Sequence, residues 1–226
     1  MPGGHYMATA TLEEYLEAIY KLSEKGAVRP TQIASALEVS GPTVTATLHR
    51  LVSAGFIKRD GGDVLLTPAG RSLALDIIRR HRISERFLVD VLGLPWDEAH
   101  EDACMLEHAL SPRVLEALEL YLNKPDVCPH GHPIPTAEGY ISKVVGAPLC
   151  SFDAGADVKI VQVAEDDDAM LAYLGSMGMF PGTEVRVCEV APFNGPMMVE
   201  VGGSTYAIGR EVADRILVAD GKKARR

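Results

Sequence analysis

The apolar residues of this chain keep a helical period up to about residue 124 and an alternating one from about residue 157. That change of period limits the fold more than any other feature. Leu12, Tyr15, Leu16, Ile19 and Leu22 recur at helical spacing behind Thr11, with Glu14 three residues on, and Gly26 ends the run. Pro30 suits the first position of a short second helix through Ile33 and Leu37. Ser40 caps a third, with Pro42 in its first turn, Val44, Leu48, Leu51 and Val52 as its apolar stripe, and Gly55 as its stop. Residues 56–59, the turn Asp60-Gly61-Gly62-Asp63 and residues 64–66 then spell a short β-hairpin. Three helices and a hairpin in so few residues have the layout of a winged helix-turn-helix.

Further helices are expected over 67–93, from Pro95 to about 109, and from the Ser111-Pro112 cap to the Asn123-Lys124-Pro125 break. They are too few to enclose a core around so long a central helix, so pairing with a second copy into a homodimer is expected. Residues 125–153, rich in Pro and Gly, read as a linker. Beyond them short β runs at 158–163, 184–190, 197–201, 204–207 and 215–218, with one helix at 168–177, predict a small barrel-like β domain. The expected class is α+β. Its predicted domains are a DNA-binding unit at 1–72, a helical dimerisation and metal-binding unit at 73–124, a linker at 125–153 and a β-barrel at 154–220. Residues 1–6 carry no pattern and are set aside, and the basic tail 222–226 is expected to fray.

Charge narrows the function. The net charge is −9, yet residues 1–72 are neutral, whereas 73–124 and 125–226 carry −4 and −5. A polyanion would have to meet the neutral N-terminal unit, unless bound cations cancel the acidic excess elsewhere. With no apolar run near the roughly 20 residues of a membrane span and no charged-then-apolar leader, the chain reads as cytoplasmic, without a membrane partner. Cys104, Cys128, Cys150 and Cys188 are then thiols or ligands rather than a disulfide framework.

The acidic middle segment holds the metal-capable residues. His100, Cys104, Glu107 and His108 project within roughly a 100° arc of one helix, so a single face presents imidazole, thiol and carboxylate. His81 and Glu85 form an i, i+4 pair on the preceding helix, and Glu14 and Glu17 share a face of the first. Taken singly, each has an ordinary explanation: a solvated Glu or His, a small buried Cys. Six donors on two adjacent helices make a divalent transition-metal site the better reading, with Glu17 left to the ordinary explanation, an outer partner at best. The loop Cys128-Pro129-His130-Gly131-His132 offers three donors but no evident fourth, and reads as ordinary linker. In the run Glu165-Asp166-Asp167-Asp168, acids favoured at a helix N-terminus compete with ligation by Asp167 or Asp168.

The segment Glu14-Tyr15-Leu16, Ser40-Gly41-Pro42-Thr43-Val44, Leu66-Thr67-Pro68-Ala69-Gly70, the run from Arg79 to Arg86, and His100 to His108 resemble, in order, the diphtheria toxin repressor family of iron- and manganese-dependent repressors. Pro181-Gly182-Thr183-Glu184-Val185 and the run from Ala207 to Ala213 are similar to its C-terminal SH3-like domain, shared with FeoA proteins. The resemblance implies two metal sites per protomer. His81, Glu85 and His100 match an ancillary site, completed from the SH3-like domain near Asp167 or Asp168. Cys104, Glu107 and His108 match a primary site, completed at the position of Glu14. Iron-type members carry methionine at the Glu14 position and manganese-type members an acid. Cys104, by contrast, is the iron-type choice; the two signals conflict, and the expectation is Mn(II), with Fe(II) close behind.

For DNA reading, Ser40, Pro42, Thr43 and Thr45 match the family's contact positions at the start of the recognition helix. Ala46 replaces a base-contacting glutamine, which implies a different operator. Arg50, Lys58 and Arg59 are candidate phosphate clamps. The expected function is therefore a metal-activated repressor of manganese or iron homeostasis that binds double-stranded operator DNA and is not an enzyme. A metallohydrolase built on the same His/Glu/Cys cluster and a metal-independent winged-helix regulator are the alternatives.

Overall fold

The computed structural model describes residues 9–165 and 167–221. Residues 1–8, Asp166 and 222–226 lie outside the described residues, and with them the expectations for residues 1–6 and for the basic tail. The chain divides into two compact units, one holding residues through Arg80 together with Pro135–Tyr140, the other His81–Ile134 and everything from Ile141 onward.

In the N-terminal unit, α1 (Ala10–Ser23), α2 (Pro30–Ala36) and α3 (Gly41–Ser53) precede a hairpin of β1 (Ile57–Asp60) and β2 (Asp63–Leu66). The hairpin pairs antiparallel from Ile57↔Leu66 to Asp60↔Asp63. Gly61 and Gly62, both at positive φ, make its two-residue turn. Leu12, Leu16, Ile33, Leu48 and Leu51 are fully buried, so the predicted stripes face one core. Ser40 caps α3, its Oγ accepting the Thr43 N–H at 3.4 Å. Gly70 admits the chain close to the hairpin, because a Cβ there would lie 1.9 Å from the Phe56 carbonyl oxygen.

Helix α4 (Pro68–Asp90) carries Arg80 in the first unit and His81 in the second. In the second unit α5 spans Ala99–Ala109 and α6 Pro112–Tyr121, the latter capped by Ser111, whose Oγ accepts the Val114 N–H at 3.3 Å. Helix α5 begins four residues later than Pro95 suggests. Pro95 to Glu98 form a turn closed by Glu98 N–H to Pro95 O, and Trp96 leaves the helix to pack into the β core.

The β region is a six-stranded antiparallel sheet in the order β3 (Ala147–Pro148), β8 (Ile216–Asp220), β4 (Asp157–Val163), β5 (Glu184–Val190), β6 (Met197–Val201), β7 (Ser204–Ile208). Its other helices are α7 (Asp168–Ser176) and α8 (Arg210–Asp214). Register shifts between Ile160 and Gln162 and between Val187 and Glu189 mark bulges that curl the sheet around Ile160, Val187, Leu174 and Val218. The architecture is α+β, with a helical N-terminal part closed by a hairpin, a helical middle and a β part.

Residues 125–134 are more ordered than a plain linker. Cys128 N–H bonds to His132 O, Ile134 N–H to Asp126 O, and Val163 N–H to His130 O, while Cys128 and His130 are fully buried. Gly131 makes this packing possible. Its φ is +87°, and a Cβ would lie 2.2 Å from the Val161 carbonyl oxygen.

Candidate metal centre

Helices α4 and α5 bring their donors together in the second unit. One ligand atom from each of His81, His100 and Cys104 lies within 4.8 Å of the others. A tetrahedral ion holds its donors about 3.3–3.8 Å apart, so small side-chain movements would close this set. Cys104 Sγ is 3.9 Å from His81 Nδ1 and 3.7 Å from His100 Nε2. Glu107 extends the group, with Oε2 at 2.7 Å from His81 Nδ1 and Oε1 at 3.3 Å from His108 Nε2. The far nitrogens of both imidazoles face Glu85 Oε1, His81 Nε2 at 3.1 Å and His100 Nδ1 at 3.6 Å. The two donor sets that the family resemblance separates are therefore contiguous, with Cys104 nearest His81 and His100.

Electrostatics follow this packing. Burial alone would depress the basicity of His81, but hydrogen bonds to Cys104, Glu107 and Glu85 override it and hold the imidazole well above its usual range. Hydrogen bonds to Cys104 and Glu85 push His100 up to about 10. Burial opposes ionisation of Cys104, yet His100 and His81 bring its thiol down to about 7. Glu85 stays well below the carboxylate range despite burial, because His100, His130 and His81 surround it.

A second group, of which the sequence reading chose only Glu85, is assembled by the loop before the β domain. Glu85, Cys128, His130 and Glu165 each offer a ligand atom, all within 4.8 Å of one another. His130 Nε2 donates to the Trp96 carbonyl at 2.9 Å, which leaves Nδ1 toward Glu85 Oε1 at 3.7 Å and Cys128 Sγ at 4.0 Å. Glu165 also lies 3.4 Å from His132 and 3.8 Å from Arg82. Glu85 is fully buried, and its Oε2 has no hydrogen-bond partner among the described residues. A buried carboxylate oxygen so placed among sulfur, nitrogen and oxygen donors fits a bound cation. Burial and the carboxylates of Glu85 and Glu165 push the Cys128 thiol up, a state that a cation would reverse.

The other expectations divide. Asp167 and Asp168 are exposed and do not join either group. Asp167 caps α7, its Oδ1 accepting the Met170 N–H at 3.0 Å, and pairs with Arg215 at 3.5 Å. Glu165, two residues earlier, reaches the buried group instead. The reading of the Cys128 loop as lacking further donors is likewise corrected, since Glu85 and Glu165 come from distant elements. The Cys-x-His spacing on a Pro/Gly loop was the available signal. His132 serves the backbone, bonding to Val163 O at 2.9 Å. Glu14 is an exposed residue of α1, in the N-terminal unit.

That unit also holds the residues expected to contact DNA. Ser40, Pro42, Thr43, Thr45 and Arg50 on α3, and Lys58 and Arg59 on β1, are all exposed. The Ser40 and Thr43 hydroxyls are 2.8 Å apart, and Thr45 Oγ1 donates to Gly41 O at 3.0 Å, so each retains acceptor capacity at the helix start.

Comparison with known proteins agrees with this order. Residues 7–61 match the iron dependent repressor N-terminal DNA binding domain, 67–136 the iron dependent repressor metal binding and dimerisation domain, and 147–220 the FeoA domain. The chain is 36% identical to the iron-dependent repressor IdeR of Mycobacterium leprae, over 92% of this chain and 96% of that protein. It is 34% identical to the diphtheria toxin repressor of Corynebacterium efficiens, over 90% and 96%. Among solved structures, a manganese-dependent transcriptional repressor in complex with manganese superposes with a TM-score of 0.84 at 33% identity, over 92% of this chain and 99% of that one. ScaR with bound Cd2+ gives 0.78 at 30% identity, over 92% and 99%.

Proposed function

This chain belongs to the iron-dependent repressor family, the family of the diphtheria toxin repressor, and from that premise we propose how its residues couple a metal ion to DNA. It is a metal-dependent DNA-binding transcriptional repressor. The finer reading is a dimer, resident in the cytoplasm, that grips operator DNA when Mn(II) or Fe(II) fills two sites per protomer. The convergence of His81, His100 and Cys104 within 4.8 Å supports it most directly.

His81, His100 and Cys104, with Glu107 and His108 beside them, would hold one ion; Glu85, Cys128, His130 and Glu165 would hold the other. The resemblance adds Glu14 to the primary set. Asp167 and Asp168, which the resemblance offers to the ancillary set, join neither group of donors. The bound ion supplies positive charge and fixed coordination geometry. Without it, Glu85 and Glu107 are buried carboxylates held by imidazoles that must keep their protons. An ion there would be held by the imidazoles as neutral ligands and by Cys104 as thiolate. The ligands must bind the DNA-competent arrangement more tightly than the other, or no switch exists. In that arrangement Ser40, Thr43 and Thr45 serve phosphates, Pro42 meets base methyl groups, and Arg50, Lys58 and Arg59 clamp the backbone.

The test is retention of a duplex selected from genomic DNA by the Mn(II)-loaded protein. Tight binding in Mn(II) or Fe(II), weakened at least tenfold by chelator, is expected. Equal affinity in both would reject the switch. Family membership argues against the metallohydrolase alternative, and measurable hydrolysis lost in Glu107→Gln with DNA binding intact would revive it.

A further inference from the structure

Helix α3 turns two different faces to core and solvent. Val44, Thr47, Leu48 and Leu51 are buried. At about 100° per residue, Pro42, Ala46, His49 and Ser53 fall within roughly 60° of one another on the opposite side. All four are exposed, and His49 is the one long side chain among them. We propose that His49 reads a base on this face, its imidazole N–H donating to N7 of a guanine in the major groove of the operator. This inference deepens, and rests on, the reading above that α3 meets operator DNA.

The hydrogen bonds inside the helix carry the first half of the argument. Ser40 Oγ and Thr43 Oγ1 lie 2.8 Å apart, Thr45 Oγ1 donates to Gly41 O at 3.0 Å, and Ser53 Oγ donates to His49 O at 2.9 Å. A hydroxyl has one proton, so most of the donor capacity of these four groups is spent within the helix. Pro42 and Ala46 offer only apolar surface. The ring of His49, by contrast, makes no hydrogen bond or ion pair among the described residues, which leaves its N–H for a ligand. Arg50 points about 100° further round the helix, toward the flank where a DNA backbone would pass. The small residues at 42 and 46 let the helix lie deep in a groove, where the longer imidazole reaches the base edges.

Base chemistry carries the second half. In the major groove guanine shows two acceptors, N7 and O6, side by side, whereas adenine sets an amino donor beside its N7 and thymine a methyl group beside its one acceptor. An N–H aimed at N7 is therefore reinforced by guanine and opposed by adenine. His49 stands about 10 Å along the helix axis from Pro42, a rise equal to about three base-pair steps. The two residues then address different base pairs of one half-site, Pro42 a thymine methyl and His49 a guanine.

Full-length wild type and His49→Ala, each loaded with Mn(II), select duplexes from a random pool, and anisotropy titrations on the wild-type winner give affinity and salt dependence. The wild type is expected to select a guanine at one position per half-site where His49→Ala accepts all four bases. Placing 7-deazaguanine at that position of one half-site removes N7 and keeps the base pair. It should weaken the wild type about 3–10-fold, the range for one lost hydrogen bond, and leave the variant unchanged. The salt slopes of the two proteins should agree, because a base contact releases no counterion. The modified duplex tests the contact with wild-type protein alone, so the result does not hang on how the variant folds. Three results each overturn the proposal: identical selected sequences for both proteins, a uniform loss on all sequences with the slope reduced by about one (a backbone contact), or no effect of 7-deazaguanine on the wild type. A wild type that enriches no duplex in Mn(II) overturns instead the functional reading, and this inference with it.

Discussion

Cys104 is the softest donor in its group, and its environment prepares it: His100 and His81 bring the thiol down to about 7. Replacing it with Ser should lower Zn(II) or Co(II) affinity by more than about tenfold and Mn(II) affinity less, because a thiolate favours the later metals. Calorimetric titration of variant and wild type with each ion checks this, and equal losses for all ions would contradict it. The protonation pattern makes a second prediction. With His81 held well above its usual range and His100 at about 10, protons compete with metal at neutral pH. Metal affinity should therefore rise with pH through the neutral range, with proton release visible as a dependence of binding heat on buffer; pH-independent affinity would count against it. Most of these donor residues were legible in the sequence because i, i+4 and i, i+3 spacing on a helix already places side chains on one face. Glu165 was not, since nothing local distinguishes it from Asp167 and Asp168. Only the fold decides that Asp167 caps α7 while Glu165 turns inward.

Among the elements, the loop before the β domain departs furthest from what its composition suggests. Prolines and glycines imply a flexible tether, but the buried Cys128 and His130 and the backbone pairing with Val163 make it part of a packed unit. Gly131→Ala should destabilise the protein by about 2–4 kcal/mol, the sum of a left-handed backbone penalty and a steric clash with Val161 O. It should also weaken ion binding at the Cys128 group. Thermal denaturation and Co(II) titration measure the two effects, and a neutral substitution would show that the loop is not held as described. Helix α3 behaved differently: Ser40 and Pro42 marked its start, and of the predicted apolar stripe Val44, Leu48 and Leu51 are buried while Val52, at the far end of the helix, is 42% exposed. Arg50→Ala, Lys58→Ala and Arg59→Ala should each weaken DNA binding similarly on all sequences and reduce the salt slope by about one, if they contact phosphate. An unchanged slope would remove that residue from the interface.

At the scale of the whole molecule, apolar surface and charge point the same way. Leu92, Met105, Leu120 and Tyr121 of the second unit are more than half exposed, which suits a homodimer, and sedimentation should give twice the chain mass at micromolar concentration. The acidic excess lies outside the neutral reading head, in the segments that carry the donor groups. Their cations would lower the charge that opposes DNA while drawing His81, His100 and Cys104 together. Period and motif order made this architecture legible before any coordinates. The pairing of distant donors around Glu85 was not, because it depends on how α4, the loop and the β domain pack. The central claim is that ligand convergence controls DNA binding, and one titration tests it most directly: fluorescence anisotropy of a selected genomic duplex against wild-type protein and His81→Ala, each in Mn(II) and in chelator. The account predicts tight binding only for wild type in Mn(II), at least tenfold above the other three conditions. Equal binding by His81→Ala and wild type in Mn(II) would contradict it.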